Sequence, residues 1–411
     1  MDASAATHSA QTVLANVAVI LLSGSVAGLL AHRLRIPDIV LFLLAGIALG
    51  PTGIGAVDVA ADSAFNQLIL LFGASYILFD GGATLRLPVL KEIWITVVAI
   101  ATAGVLITGA VVAAAAHYLL TLPAAGALLL GAALAPTDPA TLVPIFRQVK
   151  VRDRVAQMVI SESALNDAMG AIFTLAVLGV ALGGDFQLSH SARAFLWDSC
   201  AGIGLGLALG LVATFLIHHR RAGFLEEYLP LVTLMVVIGA YLSADRLNAS
   251  GFMAVFVAGV VVGNPPAWLR DPSERRELSK LDDFVASTAL VMRMFIFILL
   301  GSQVNFPLLL AHAWPALAIV LVLMFVARPA AVFLCAPPDR RARWSTSELV
   351  FMCWTRETGV IPAALGGMIL SARAPHAELI TGVIFMAVLV TIALQAPTTR
   401  WLARRLGILA N

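Results

Sequence analysis

The sequence predicts an all-α, polytopic membrane protein of about 13 transmembrane helices, each close to the ~20 apolar residues a bilayer requires. Three observations carry this. Of the 411 residues, 60% are apolar and 12% charged, with a mean hydropathy of +0.94, whereas a soluble chain carries about 25% charged residues. Charge-free stretches recur along the whole length, which makes it one membrane unit rather than several soluble domains. The stretches are continuous and not alternating, which argues against a β-barrel.

The first run, roughly 11–31, ends before Arg33 and Arg35, and the second, roughly 37–53, closes on Gly50-Pro51. Runs three to six lie at roughly 65–84, 92–117, 124–146 and 155–182. A seventh, roughly 194–217, stops before Arg220 and Arg221. Six more follow at roughly 228–245, 249–263, 284–302, 307–335, 346–370 and 377–397. If the seventh links two inverted halves, residues 1–185 form one six-helix repeat, 194–218 the linker and 228–411 the second repeat. No soluble regulatory domain is expected within this chain.

Alternate connections carry the basic residues. Twenty lie on one side: Arg33, Arg35, Arg86, Lys91, Arg147, Lys150, Arg152, Arg154, Arg220, Arg221, Arg270, Arg275, Arg276, Lys280, Arg340, Arg341, Arg343, Arg400, Arg404 and Arg405. Only Arg193, Arg246 and Arg373 lie on the other. The positive-inside rule then sets the N-terminus outside and the C-terminus in the cytoplasm of an inner (cell) membrane. Arg293, Arg328 and Arg356 remain, inside runs where a cation is costly.

Several classes drop out. A net charge of +2 offers no field for nucleic acid. There is no G-x-x-x-x-G-K-[ST] loop for ATP, so transport has to run on an ion gradient. Cys200, Cys335 and Cys353 fit neither a disulfide framework nor a metal spacing. No basic residue precedes Arg33, so the first run lacks the n-region of a signal peptide. Gly202, Gly206 and Gly210, four apart, are read as a helix-packing face. His218 and His219 are read as interfacial. No catalytic residue and no cofactor are expected.

The intramembrane carboxylates carry the chemistry. The fifth run contains Ala135-Pro136-Thr137-Asp138-Pro139-Ala140, and its two prolines break the helix at membrane depth. The freed backbone groups need partners, which an ion-binding cavity supplies. Asp138 at the break can offset the positive end of a half-helix. The sixth run contains Ser161-Glu162-Ser163-Ala164-Leu165-Asn166-Asp167. Helical spacing puts Glu162 in one row with Asn166, and Ser163 in one row with Asp167. The second row offers hard oxygen ligands suited to a monovalent cation. Three acids in two consecutive spans are affordable if one pairs with Arg328, one sits at the break, and one titrates. Asp167 is assigned the last role: a desolvated carboxylate holds either a proton or a cation, and the two compete for it.

The twelfth run contains Thr355-Arg356-Glu357-Thr358-Gly359-Val360-Ile361-Pro362, again with Gly and Pro in mid-membrane beside an acid and a base. Interrupted segments at matching positions of two halves point to a midplane binding site. Arg356 and Glu357 either pair, leaving the charge count unchanged, or Glu357 faces the site. Asp80 is expected to meet a nearby basic residue or cap its helix. Arg293 either balances a core carboxylate or snorkels inwards.

With these motifs the chain resembles the monovalent cation:proton antiporter-1 family, the NhaP-like and eukaryotic sodium/proton exchangers. The resemblance spans nearly the whole chain and rests on Ala45-Gly46-Ile47-Ala48-Leu49-Gly50-Pro51, Phe79-Asp80-Gly81, Pro136-Thr137-Asp138-Pro139, Glu162-Ser163-Ala164-Leu165-Asn166-Asp167 and Ala327-Arg328-Pro329. It implies thirteen spans in two inverted repeats, crossed broken helices in spans five and twelve, and a homodimer. It implies exchange of Na⁺, with K⁺ or Li⁺ as alternatives, for H⁺. It also implies cation contacts from Asp167, Ser163 and the Thr137 backbone, with Glu162 and Asn166 held by Arg328. Asn166 before Asp167, in place of a second Asp, matches the electroneutral branch. Glu357 departs from the family's Gly-Leu-Arg-Gly-Ala pattern and leaves both cation preference and strict electroneutrality open.

Three rivals stay in view. A cation channel needs polar mid-membrane groups but no carboxylate that alternates between proton and cation. Proton-coupled uptake of an organic solute calls for more aromatics at the breaks than Trp354. An intramembrane aspartyl protease could use Asp138 and Asp167, but its Gly-x-Gly-Asp context is missing.

Overall fold

A computed structural model describes residues 3–34, 36–138, 146, 151–184, 188–218, 228–265 and 275–409. Pro139, Arg35, Arg147, Lys150, His219, Arg220, Arg221 and Arg270 lie outside the described residues. The helices are α1 (Ala3–Leu34), α2 (Asp38–Leu49), α3 (Ala64–Ala83), α4 (Leu87–Leu119), α5 (Ala124–Leu134), α6 (Asp153–Ala181) and α7 (Leu188–His218). They continue as α8 (Leu229–Arg246), α9 (Gly251–Gly263), α10 (Arg275–Ser302), α11 (Ala313–Cys335), α12 (Thr346–Trp354), α13 (Val360–Ser371) and α14 (Ala377–Arg405). A short helix, Phe306–Ala311, leads into α11.

Among the described residues nine helices are long and apolar enough to cross a membrane. Four shorter apolar helices, α2, α5, α9 and α13, fall within the second, fifth, ninth and twelfth apolar runs. The N-terminal signals are those the sequence carries. Ser63 accepts from the Asn66 N–H at 3.2 Å and Ser250 from the Met253 N–H at 3.2 Å. Ser345 and Glu348 close a capping box on α12.

Two boundaries differ from the sequence reading. The last helix does not stop at Pro397 but runs through it to Arg405. A proline removes one N–H and costs a helix its local bond. Here the Thr398 hydroxyl donates to Leu394 O at 2.6 Å and the Thr399 hydroxyl to Gln395 O at 2.8 Å, so the turn stays bonded on both sides. The first helix begins several residues earlier than its apolar run, at Ala3.

Both α4 and α11 carry a π-helical turn, at Ile100–Gly104 and Leu323–Ala327. The second places Arg328 directly after it. The Gly202, Gly206 and Gly210 face does what its spacing predicts, since a Cβ on Gly206 or Gly210 would meet α9 at Ala254, Ala258 or Val261. Burial separates the helices into two kinds. α6 and α14 are mostly enclosed, whereas α1, α7 and α8 present Leu22, Leu29, Leu211, Val212 and Met235 outwards, as lipid-facing helices do.

α6 is fastened at its basic end. Val151 pairs with Leu409, and the Arg152 N–H donates to Ile408 O at 3.0 Å. The Arg154 guanidinium stacks 4.1 Å from the Trp344 ring centroid and donates to Ala342 O.

Candidate ion-binding site

The first break behaves as Pro136 requires: α5 stops at Leu134, and Ala135 to Asp138 are non-helical. Gly170 on α6 makes room for it, because a Cβ there would collide with the Pro136 ring. The break thus lies against α6 one turn beyond Asp167.

There the polar groups of α6 and the break interlock. Ser163 Oγ donates to Thr137 O at 2.6 Å and accepts from Thr137 Oγ1 at 2.9 Å. The Thr137 N–H donates to Asn166 Oδ1 at 3.1 Å, and Asn166 Nδ2 donates to Thr137 Oγ1 at 2.9 Å and to Glu162 Oε1 at 2.7 Å. Arg328 grips Glu162 with two parallel bonds of 2.9 Å and sends its Nε–H to Met352 O at 3.0 Å. Both ends of that ion pair are buried, at 3% and 1% exposure. A bidentate pair with its spare donor and acceptor also used can be held in a low-dielectric interior. Arg328 reaches Asn166 only through Glu162.

Asp167 stands apart from this network. It is 7% exposed, and its Oδ1 is buried without a hydrogen-bond partner among the described residues. The row it shares with Ser163 therefore ends in a carboxylate oxygen with capacity left, one helical turn from the Ser163 hydroxyl that bonds Thr137. An oxygen set of this kind suits a hard monovalent cation.

The second break crosses the first, and each supplies the charge that the other's helix end needs. α13 begins at Val360, and its N–H donates to Asp138 Oδ2 at 3.0 Å, placing an anion at a helix N-terminus. The Asp138 N–H in turn donates to Glu357 O at 2.9 Å. Arg356 donates to Leu134 O and, at 3.1 Å, to Ala135 O, placing a cation at the C-terminus of α5. Gly359 is required at the crossing, since a Cβ there would run into the Asp138 side chain.

This decides the open alternative for Arg356 and Glu357: the two do not pair. The Arg356 guanidinium is used on the α5 carbonyls and, at 3.2 Å, on Thr358 Oγ1. Arg293 is also decided, lying 3.6 Å from Asp80 and balancing it.

Sequence reasoning gave α14 no part in the site. The Thr358 N–H donates to Thr391 Oγ1 at 3.0 Å, and Trp354 Nε1 donates to Thr398 Oγ1 at 2.9 Å. The signal was present: Thr391, Gln395 and Thr399 recur every four residues in a largely apolar run, and all three are buried.

Two interrupted helices that cross and cap each other, next to a buried carboxylate with a free oxygen, define a polytopic membrane transporter built around an ion site. Comparison with known proteins gives the family. Residues 18–405 match the sodium/hydrogen exchanger transmembrane family, and the chain belongs to it. It is 32% identical over 398 residues to the K(+)/H(+) antiporter NhaP of Alkalimonas amylolytica, covering 94% of this chain but 66% of that one. It is 32% identical over 355 residues to Na(+)/H(+) antiporter 1 of Methanocaldococcus jannaschii, covering 84% and 80%. The structure of the sodium proton antiporter MjNhaP1 from M. jannaschii at pH 8 superposes with a TM-score of 0.78 at 28% identity, covering 96% and 99%.

Proposed function

We propose that this chain is a secondary active antiporter that exchanges a monovalent cation, Na⁺ in the first instance, for H⁺ by alternating access. The observation that carries it is the contrast at the first break. Glu162, Asn166, Ser163 and Thr137 are bonded to one another or to Arg328, while Asp167 beside them keeps a buried oxygen without a partner. An ionised carboxylate in such a place needs a counter-charge, and a proton or a cation each provides one. Occupancy of Asp167 by one or the other exchanges one cation for one proton.

K⁺ is a second reading of the same site, compatible with the K(+)/H(+) antiporters among the relatives. The site works in an inner membrane with the N-terminus outside and serves pH homeostasis. The working unit is a homodimer. The halves 1–185 and 228–411 are inverted repeats about the 194–218 linker. In support, short helices recur at α2 and α9, π turns in α4 and α11, and breaks after α5 and α12, each at matching places in the two halves. The channel reading loses ground because the central carboxylate is enclosed among bonded side chains rather than lining an open pore.

The test is Asp167→Asn in proteoliposomes carrying an internal pH dye. We expect cation-dependent proton movement to vanish while the purified protein keeps its oligomeric state and melting profile. Exchange that survives the substitution removes Asp167 from the mechanism.

A further inference from the structure

The buried group that the exchange at Asp167 does not use is Glu357. It is 0% exposed, and neither of its carboxylate oxygens has a hydrogen-bond partner among the described residues. A carboxyl kept for architecture makes hydrogen bonds, as Glu162 and Asp138 do here; Glu357 makes none through its side chain. Yet its backbone is fixed at the crossing, because its carbonyl receives the Asp138 N–H.

A second side chain nearby is in the same condition. Gln395 is 0% exposed, and both its amide oxygen and its amide nitrogen lack partners among the described residues. Thr358 is bonded to Thr391 and Trp354 to Thr398, so the unwound residues 355–357 run alongside the stretch of α14 that holds Gln395. Gln395 shares the buried face of Thr391 and Thr399 that looks onto this segment. The idle atoms are complementary. A neutral carboxyl has one donor and one acceptor, and so does one edge of a primary amide. An ionised carboxylate has no donor to offer the Gln395 oxygen.

The surrounding charged groups are matched elsewhere or carry the same sign. Arg356, on the same segment, is engaged with α5 and Thr358. Asp138 from the first break is a like charge. Glu162 of α6 is matched with Arg328 of α11, and Asp80 of α3 with Arg293 of α10. Asp167 is the cation's carboxylate, and the α14 face brings only uncharged groups.

We propose that Glu357 is a second exchangeable proton site of the transporter, its neutral carboxyl matched in donor and acceptor to the Gln395 amide, to which it is not bonded in this structure, and its ionised form exposed to water at the opposite stage of the cycle. This rests on Asp167 being the cation-exchanging carboxylate. On one side of the membrane the O–H bond of Glu357 breaks and its proton passes to water. On the other side a proton from water re-forms that bond. Asp167 meanwhile trades one proton for one cation. Each cycle then moves two protons one way and one monovalent cation the other, and transfers one net charge. The electroneutral exchange implied by Asn166 before Asp167 is thereby converted into an electrogenic one by an acid on the other broken helix.

The experiment records currents from proteoliposomes on a solid-supported membrane during steps of Na⁺, then of K⁺, with dye-reported proton movement measured in parallel. Wild type is expected to give a cation-dependent current. Glu357→Gln is expected to keep dye-reported exchange through Asp167, at a changed rate, and to lose the current. A wild-type chain that exchanges protons without current overturns the proposal, and this arm needs no variant to fold. A Glu357→Gln chain that exchanges with its current intact overturns it as well. Asp167→Asn is scored separately: exchange surviving there defeats the Asp167 reading, whatever the current does.

Discussion

The two broken helices are built from similar pieces and end in opposite electrostatic conditions. At the first, Thr137 and Asp138 have their polar atoms shared with Ser163, Asn166 and Val360, and the nearby acid Glu162 is gripped by Arg328. At the second, Arg356 reaches away to the end of α5, and Glu357 next to it is left bare. Adjacent opposite charges thus fail to pair. A guanidinium gains more from the carbonyls at a helix C-terminus, which have no other partner, than from a neighbour that can be neutral. Saturation at one break fixes geometry, and an open acid at either break is a place where a proton can come and go.

That contrast can be broken from the saturated side, where the effects are largest. Arg328→Ala or Glu162→Gln leaves a buried group without its partner, at a cost of about 3–5 kcal/mol. We expect a large drop in detergent melting temperature, with transport falling only as folded protein is lost. Full folding with selective loss of transport would show that the pair acts in the cycle and not in the scaffold.

Next in size is the crossing itself. Gly359→Ala pushes a methyl group at the Asp138 carboxylate, a strain of about 1–3 kcal/mol. Turnover is expected to fall more than stability, since the displaced cap controls how the two breaks sit. Unchanged kinetics would separate the crossing from the ion site.

The smallest effect lies in the connection after α11, away from the breaks. Asp339 is enclosed, which by itself raises its proton affinity. The Thr96 hydroxyl at 2.7 Å and the N–H groups of Ala342, Arg341 and Thr96 outweigh this and hold the carboxyl below its ordinary range. A carboxyl lowered in the folded state contributes stability above its unfolded value of about 3.9, and that contribution is lost as pH falls through the folded value. Asp339→Asn should therefore lower the melting temperature at neutral pH and flatten its decline towards strong acid. An identical acid limb in both proteins would show that these bonds do not contribute.

Much of the molecule was legible beforehand because membrane constraints act locally. A span must be apolar for its whole length, and a proline in mid-span must break it, so the runs, the two interrupted segments and the Glu162–Asn166 and Ser163–Asp167 rows could be read from spacing alone. The end at Pro397 was misread because two following threonines bond the turn that the proline weakens. Gln395 was passed over because its spacing with Thr391 and Thr399 shows a shared polar face but not what that face meets.

By itself, then, the sequence determined which helices exist, where two of them break, and that three arginines and several acids had to find partners inside the bilayer. Tertiary structure decided the partners. Glu162 and Arg328 meet across 166 positions of chain, Arg356 goes to α5 and not to its neighbour, and Arg293 goes to Asp80. Periodicity governs which side chains share a helix face, because that depends on the local backbone. Which charge meets which depends on how distant helices pack and where their unsatisfied ends fall, and no local pattern contains that.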